Sequence, residues 1–208
     1  MIGKDDLFTE VTKLVTYIKS LQSQGKFNCR PKGASSRHCG AIITDAVLQM
    51  GHNYEKQVRD RVNNVKTMPT AASVSGFLNM LQAQGVKQVL DWKAGKTTNL
   101  VIRHTQFFLE QGLDTYTQFE NWLMQETNRD SMIKLNLGMR QRTADYYGVL
   151  VLDPDAVKVD SRINAFLKEA KIIDSYGYKD KREIVRQAAR QLGCRPLDLD
   201  NSIWIYMG

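Results

Sequence analysis

Apolar side chains recur at helical spacing along nearly the whole of this chain. Successive members of each series lie three or four positions apart, which places them on one face of an α-helix. No segment alternates apolar and polar residues for long enough to predict a strand. The first series consists of Leu7, Val11, Leu14, Ile18 and Leu21. The sequence therefore predicts an all-α fold of about ten helices.

The length and charge of the chain narrow the class of protein. Its 208 residues suit one domain, or two closely packed subdomains, with a sizeable core. The 29 Lys and Arg residues outnumber the 22 Asp and Glu residues, which gives a formal net charge of +7. This balance favours a polyanionic partner, most commonly nucleic acid, although many basic proteins bind none.

The cysteines and the amino-terminal residues indicate a reducing compartment. Cys29, Cys39 and Cys194 are odd in number and widely spaced, which argues against a disulfide framework, and no CxxC pair suggests zinc. The chain begins MIGKDDLF, without an apolar signal segment, and has no apolar run of membrane-spanning length. We expect a cytoplasmic protein with no metal, no organic cofactor and no membrane partner. A lone histidine on a helix face, such as His104, is usually structural.

The stretch 135–170 carries the most information about function. Leu137–Gln141 predicts a short turn between two helices, the second of which begins at Arg142 or Thr143. Such a turn aims unpaired backbone N–H groups outward, which suits a DNA phosphate. A plain connection between two helices is the alternative interpretation.

A carboxylate follows this turn within the same stretch. Asp153-Pro154-Asp155 ends the preceding helix, and a further helix begins at Asp160. A carboxylate at a helix start most often serves as an N-cap. A fixed carboxylate also stabilises positive charge on a sugar and orients or deprotonates water.

The order of these features resembles the helix-hairpin-helix DNA glycosylase superfamily, of the endonuclease III type. In that family a hairpin of pattern L-P-G-V-G-x-K-T-A precedes a V-D-[ST]-x-[VI] segment. This chain has G-M-R-Q-R-T-A at 138–144 and V-D-S-R-I at 159–163.

The match departs from the family pattern at four hairpin positions. Asn136 stands where the family has Leu, and Leu137 where it often has Pro. Arg140 replaces the second hairpin glycine, and Arg142 falls where bifunctional members carry a nucleophilic Lys. A guanidinium stays protonated and cannot form a Schiff base, so Arg142 predicts no strand cleavage.

The resemblance implies an architecture. It has two helical subdomains, a helix-hairpin-helix motif and an intervening active-site cleft. Residues 1–38 would pack with the C-terminal helices, residues 39–152 would form a central subdomain that ends in the hairpin, and residues 153–208 would carry the catalytic aspartate.

The resemblance also implies a function. The chain would be a monomeric DNA glycosylase of base-excision repair, associated with the nucleoid when bound. It would extrude a damaged or modified base from double-stranded DNA and hydrolyse the N-glycosidic bond with Asp160. A non-catalytic or structure-specific helix-hairpin-helix DNA-binding protein is the alternative, and an unrelated basic helical interaction module is a third.

The DNA-contacting residues that the resemblance implies lie in two places. Gln49 matches the residue that fills the gap left by a flipped base, although an exposed Gln at a helix end is an equal interpretation. The implied hairpin contacts are Gly138, Met139, Arg140, Gln141, Arg142 and Thr143.

Overall fold

The computed structural model describes residues 2–92, 95–135 and 137–208. Within these ranges it contains twelve α-helices, a π-helical turn at Tyr54–Val58, a 3-10 turn at Pro69–Ala72 and no strand. The predicted all-α class is therefore confirmed. The helices are α1 (Lys4–Ser23), α2 (Cys39–Leu48), α3 (Arg59–Lys66), α4 (Val74–Gln84), α5 (Val86–Leu90), α6 (Gly95–Glu110), α7 (Tyr116–Met124), α8 (Glu126–Lys134), α9 (Gln141–Leu150), α10 (Ser161–Glu169), α11 (Tyr178–Gln191) and α12 (Pro196–Tyr206).

The chain divides into two compact units. The terminal unit consists of the residues up to Ala34 together with Leu152–Gly208, and the central unit is Ser35–Val151. The two ends of the chain therefore belong to one unit, and the long middle segment forms the other. The predicted helix-hairpin-helix motif and the predicted cleft stay predictions.

The terminal unit is built on the apolar face of α1. That face packs against α11, and α12 packs against both α10 and α11. Burial of aliphatic side chains of this size stabilises the unit by roughly 1.5–3 kcal/mol per residue. The shared core includes Val11, Leu14, Ile18, Ile163, Phe166, Ile184, Val185, Ala188 and Ile203.

The central unit is organised around α2. Every residue of Cys39–Leu48 is buried, because α3, α4, α6 and α9 all pack against this helix. A helix that is apolar on all sides must be surrounded by other elements. The one carboxylate of α2 is Asp45, which accepts a hydrogen bond from the Tyr146 hydroxyl of α9 at 2.9 Å.

The helices differ in polarity, but none is a membrane span. Within the described residues, no helix combines the length and the apolar character that crossing a bilayer requires.

Candidate functional site

The turn between α8 and α9 requires a glycine at residue 138. Gly138 has φ +74°, a left-handed conformation that side-chain-bearing residues rarely adopt. A Cβ at this position would also lie 2.5 Å from Leu100 Cδ2 of α6. The turn therefore fits closely against α6. Asn136, which belongs to this turn, lies outside the described residues.

A buried histidine anchors the same turn. His104 Nε2 lies 3.0 Å from the Leu137 carbonyl oxygen, and its Nδ1 lies 2.9 Å from the Tyr147 hydroxyl. A carbonyl only accepts, so Nε2 donates to Leu137 while Nδ1 accepts from Tyr147. Burial lowers the pKa of His104 to about 4, and the ring is neutral at pH 7. His104 thus ties α6, the turn and α9 together.

Helices α8 and α9 approach each other closely beyond the turn. Arg129 of α8 is fully buried and donates to the Leu123 carbonyl oxygen. Its guanidinium fits because Gly148 of α9 has no side chain: a Cβ there would lie 2.8 Å from Arg129 Cζ. The two helices that flank the turn are therefore held in fixed positions.

The start of α9 leaves backbone donors unpaired. Arg140 is the N-cap residue, with extended backbone and no side-chain capping bond. Its carbonyl accepts the N–H groups of Thr143 and Ala144 at 2.9 and 3.2 Å. Among the described residues, nothing accepts the N–H groups of Gln141 and Arg142. These two amides, at the positive end of the α9 dipole, are suited to an anion.

Exposed cations surround these amides. Lys134, Arg140 and Arg142 are exposed, and residues 134–142 contain no carboxylate. None of the three forms an ion pair with another described residue. Their charges are therefore available to a ligand.

Helix α6 adds two more cations beside the turn. Lys96 and Arg103 are exposed and lie four residues before and three residues after Leu100, on the same helix face. Leu100 is the residue that approaches Gly138. We call the five cations the basic patch: Lys96, Arg103, Lys134, Arg140 and Arg142.

The other predicted hairpin contacts differ in exposure. Met139 and Thr143 are each 7% exposed, so their side chains belong to the protein interior. Their part in DNA contact stays a prediction, and their burial is consistent with contact through backbone groups. Gln141 is half-buried and donates to Asp130 Oδ1 at 2.8 Å.

Gln49 lies in the central unit at the end of α2. It is the C-cap residue of that helix and is half-buried. Helix α2 packs against α9, the helix that follows the turn. Gln49 therefore lies at the end of a helix that contacts α9. Its role at a flipped base stays a prediction.

Asp160 lies in the terminal unit and caps α10. Its Oδ1 accepts the N–H groups of Arg162 at 2.9 Å and Ile163 at 3.1 Å. Its Oδ2 lies 3.8 Å from Lys158 Nζ, and 15% of the side chain is exposed. The N-cap interpretation is therefore correct as geometry. The cap occupies one carboxylate oxygen and leaves the other beside an ammonium group.

A second carboxylate, Asp200 of α12, also contacts Lys158. Its Oδ1 accepts the Lys158 N–H at 2.9 Å. The pKa of Asp200 is raised to about 7, chiefly by burial and also by the charge of Asp160, against the lowering effect of Lys158. The sequence pattern alone does not mark Asp200 as a site residue. The available signal was an acidic side chain between Leu199 and Ile203, two apolar residues of one helix.

We expect the proton of Asp200 to make stability depend on pH. Its pKa is higher in the folded chain than the roughly 3.9 of an unfolded chain, so its contribution is present in acid and is lost as pH rises from about 4 to about 7. Between pH 4 and pH 7 the unfolding free energy of the unmodified protein should fall by roughly 3 kcal/mol more than that of Asp200→Asn. Urea unfolding at a series of pH values measures the difference between the two proteins.

Asp198→Asn is the matched control, because Arg195 lowers the pKa of Asp198. Its contribution is constant above the unfolded-state pKa, so its removal should not change the slope between pH 5 and pH 8. Parallel pH profiles for the unmodified protein and Asp200→Asn would contradict the expectation.

The comparisons with known proteins point to one family. A family model described as Domain of unknown function (DUF8548) matches residues 12–207. No curated protein and no solved structure matches the chain. Within the described residues, no group of three or more His, Cys, Asp or Glu side chains is arranged to hold a metal ion.

This match overturns the family resemblance drawn from the sequence. The assignment to the helix-hairpin-helix DNA glycosylase superfamily is wrong, because the family that matches nearly the whole chain is a different one. The resemblance depended on two short segments, 138–144 and 159–163. A turn rich in small and basic residues and an aspartate before a helix both arise from ordinary turn and capping requirements.

Proposed function

The chain belongs to the family described as Domain of unknown function (DUF8548), and from its geometry we propose that it binds the phosphate backbone of double-stranded DNA. The binding surface is the turn between α8 and α9 together with the basic patch. One observation carries the proposal: two amides at the start of α9, for which no described residue is an acceptor, lie next to the exposed side chains of Arg140 and Arg142.

The amides and the guanidinium groups at the start of α9 together fit a phosphate. Backbone N–H groups at a helix start donate to a phosphate oxygen, and the helix dipole adds a favourable field. Guanidinium groups bind phosphate with two parallel hydrogen bonds. Duplex DNA presents one negative charge per roughly 1.7 Å of its axis, so several cations of the patch engage phosphates together. Such contacts fix position and carry no base sequence.

Rigidity favours the same interpretation. The turn is held by Gly138 against α6 and by the neutral ring of His104. A preorganised donor set loses little conformational entropy when a phosphate binds. Because His104 has a pKa of about 4, this support does not change charge near neutral pH.

Asp160 supports a second candidate function, hydrolysis of an N-glycosidic bond in DNA. The two backbone donors hold one carboxylate oxygen in place, while the other lies beside Lys158 and part of the side chain is exposed. A carboxylate fixed in this way is able to stabilise the positive charge that develops on the sugar. The substrate would be a damaged or modified base, extruded from the duplex before cleavage.

The products distinguish the two candidates. A glycosylase leaves abasic sites that alkali reveals, whereas a binding protein leaves the strand unchanged.

Salt dependence tests the binding proposal. We expect the protein to bind a labelled duplex at about 50 mM salt and to lose at least about tenfold in affinity by about 200 mM, because binding releases counterions from phosphates. Fluorescence anisotropy measures both affinities. The absence of binding at the lower salt concentration, or an affinity that does not change with salt, would refute the proposal.

A further inference from the structure

A segment without regular structure connects α1 to the rest of the chain and lies along α12. We call residues 26–34 the strap. The Arg30 N–H donates to Ser202 Oγ at 2.7 Å, and the Lys32 N–H donates to Asp198 Oδ1 at 3.0 Å. Two backbone hydrogen bonds to successive turns of α12 therefore fix the course of the strap.

The strap is also anchored in the core of the terminal unit. Phe27 is 3% exposed, and its ring lies 5.7 Å from the rings of both Phe166 and Tyr206. Cys29 follows two residues later, between this anchor and the bond of Arg30 to Ser202. The position of Cys29 is therefore well determined.

Cys29 faces a second thiol. The Lys32 N–H and the Arg195 guanidinium both donate to Asp198, so the strap lies beside the α11–α12 turn that holds Cys194. Each of the two thiols is the largest cause of the other's pKa shift, so the two side chains lie close together. Cys194 lies between α11 and α12, where its N–H donates to the Ala189 carbonyl oxygen at 3.0 Å. Both thiols are free and half-buried, whereas Cys39 is buried. The two half-buried thiols therefore lie in the same part of the terminal unit, on ordered backbone.

We propose that Cys29 and Cys194 are a reversible redox pair whose oxidised form is a disulfide between the strap and the α11–α12 turn. The oxidant is a small-molecule disulfide such as oxidised glutathione. The Cys29 thiolate attacks one sulfur of the reagent and releases the first glutathione. The Cys194 thiolate then attacks the Cys29 sulfur, forms the internal disulfide and releases the second glutathione. Two electrons pass from the protein thiols to the reagent, and their two protons end on the two glutathione thiols.

Local electrostatics assign the two roles. The neighbouring Cys194 thiol lowers the pKa of Cys29, and the Ser202 hydroxyl and the Arg195 guanidinium act in the same direction. The neighbouring Cys29 thiol, with burial, raises the pKa of Cys194. Since the thiolate is the nucleophile in thiol–disulfide exchange, Cys29 attacks first and Cys194 resolves.

The disulfide would enclose a large part of the chain. Residues 30–193, which include the whole central unit, lie between the two cysteines. A cross-link over so long a loop restricts the unfolded chain strongly. The oxidised protein should therefore have a higher melting temperature than the reduced protein, and a reductant should reverse the shift.

The experiment uses the full chain equilibrated in buffers of oxidised and reduced glutathione. We expect the oxidised protein to lose the mass of two hydrogen atoms, and peptide mapping to recover Cys29 linked to Cys194. After alkylation in denaturant, one thiol, Cys39, should carry the label. In Cys194→Ser the exchange should stop at a glutathione adduct on Cys29.

Cys39→Ser is the matched control and should form the internal disulfide as the unmodified protein does. Stable glutathione adducts on the unmodified protein without an internal disulfide would overturn the proposal. So would complete alkylation of both Cys29 and Cys194 in a buffer that converts Cys194→Ser to its adduct. Neither outcome depends on DNA binding, so the inference stands or fails independently of the proposed function.

Discussion

Replacing Asp160 by Asn should greatly lower the base release that the second candidate function predicts for lesion-bearing duplexes, while the fold and duplex binding are retained. The amide oxygen can still accept the N–H groups of Arg162 and Ile163, so the cap of α10 is kept. The negative charge beside Lys158 is lost. Loss of an electrostatic stabiliser of this kind lowers a rate by about 10²–10³-fold. Incubation with a panel of lesion duplexes, followed by alkali, measures the rate.

Asp155→Asn is the control for this variant, because Asp155 is an exposed carboxylate of the same unit that pairs with Arg190 at 3.0 Å. It should release bases at the unmodified rate. Equal rates for Asp160→Asn and the unmodified protein would exclude Asp160 as the catalytic carboxylate.

The double substitution Arg140→Gln and Arg142→Gln should weaken duplex binding by about 10–100-fold near physiological salt, because two charged phosphate contacts are lost. Glutamine keeps hydrogen-bonding capacity without the charge. Both arginines are exposed, so the unfolding free energy should change by less than about 0.5 kcal/mol. Anisotropy titrations and urea unfolding measure the two effects separately.

A charge-matched control separates the turn from net charge. Lys66 and Lys87 are exposed cations of the same central unit, at the end of α3 and in α5. Lys66→Gln with Lys87→Gln lowers the net charge by the same two units. Equal losses of affinity in the two double variants would show that only overall charge matters.

The helical class could be predicted because it depends on local spacing. Residues such as Leu14 and Ile18 lie one turn apart in sequence and are fully buried in α1. The start of α9 was predicted at Arg142 or Thr143 but is found at Gln141. The Arg140 carbonyl accepts two N–H groups, which extends the helix by one residue, and spacing alone does not indicate such a bond.

Groupings of distant residues could not be predicted. Asp160 and Asp200 meet at Lys158, and Cys29 meets Cys194, only because the chain ends share one unit. A periodic pattern defines the buried face of each helix but not which helices pack together. These contacts therefore required the tertiary structure.

The burial of the turn's side chains was equally inaccessible from the sequence. Met139 of the turn and Thr143 in the first turn of α9 are both buried. Gly138 lets the turn lie close to Leu100, and the His104 ring is hydrogen-bonded to the Leu137 carbonyl oxygen. The solvent exposure of each side chain in the turn therefore depends on contacts with α6, which is distant in sequence.

The slope of log affinity against log salt concentration tests whether the α8–α9 turn and its arginines bind the phosphates of duplex DNA. Each lost phosphate contact reduces the slope by about 0.9 for duplex DNA. The Arg140→Gln, Arg142→Gln protein should therefore show a slope shallower than that of the unmodified protein by about 1.8, with lower affinity at every salt concentration. Identical slopes and affinities for the two proteins would contradict the assignment of the α8–α9 turn as the DNA-binding surface.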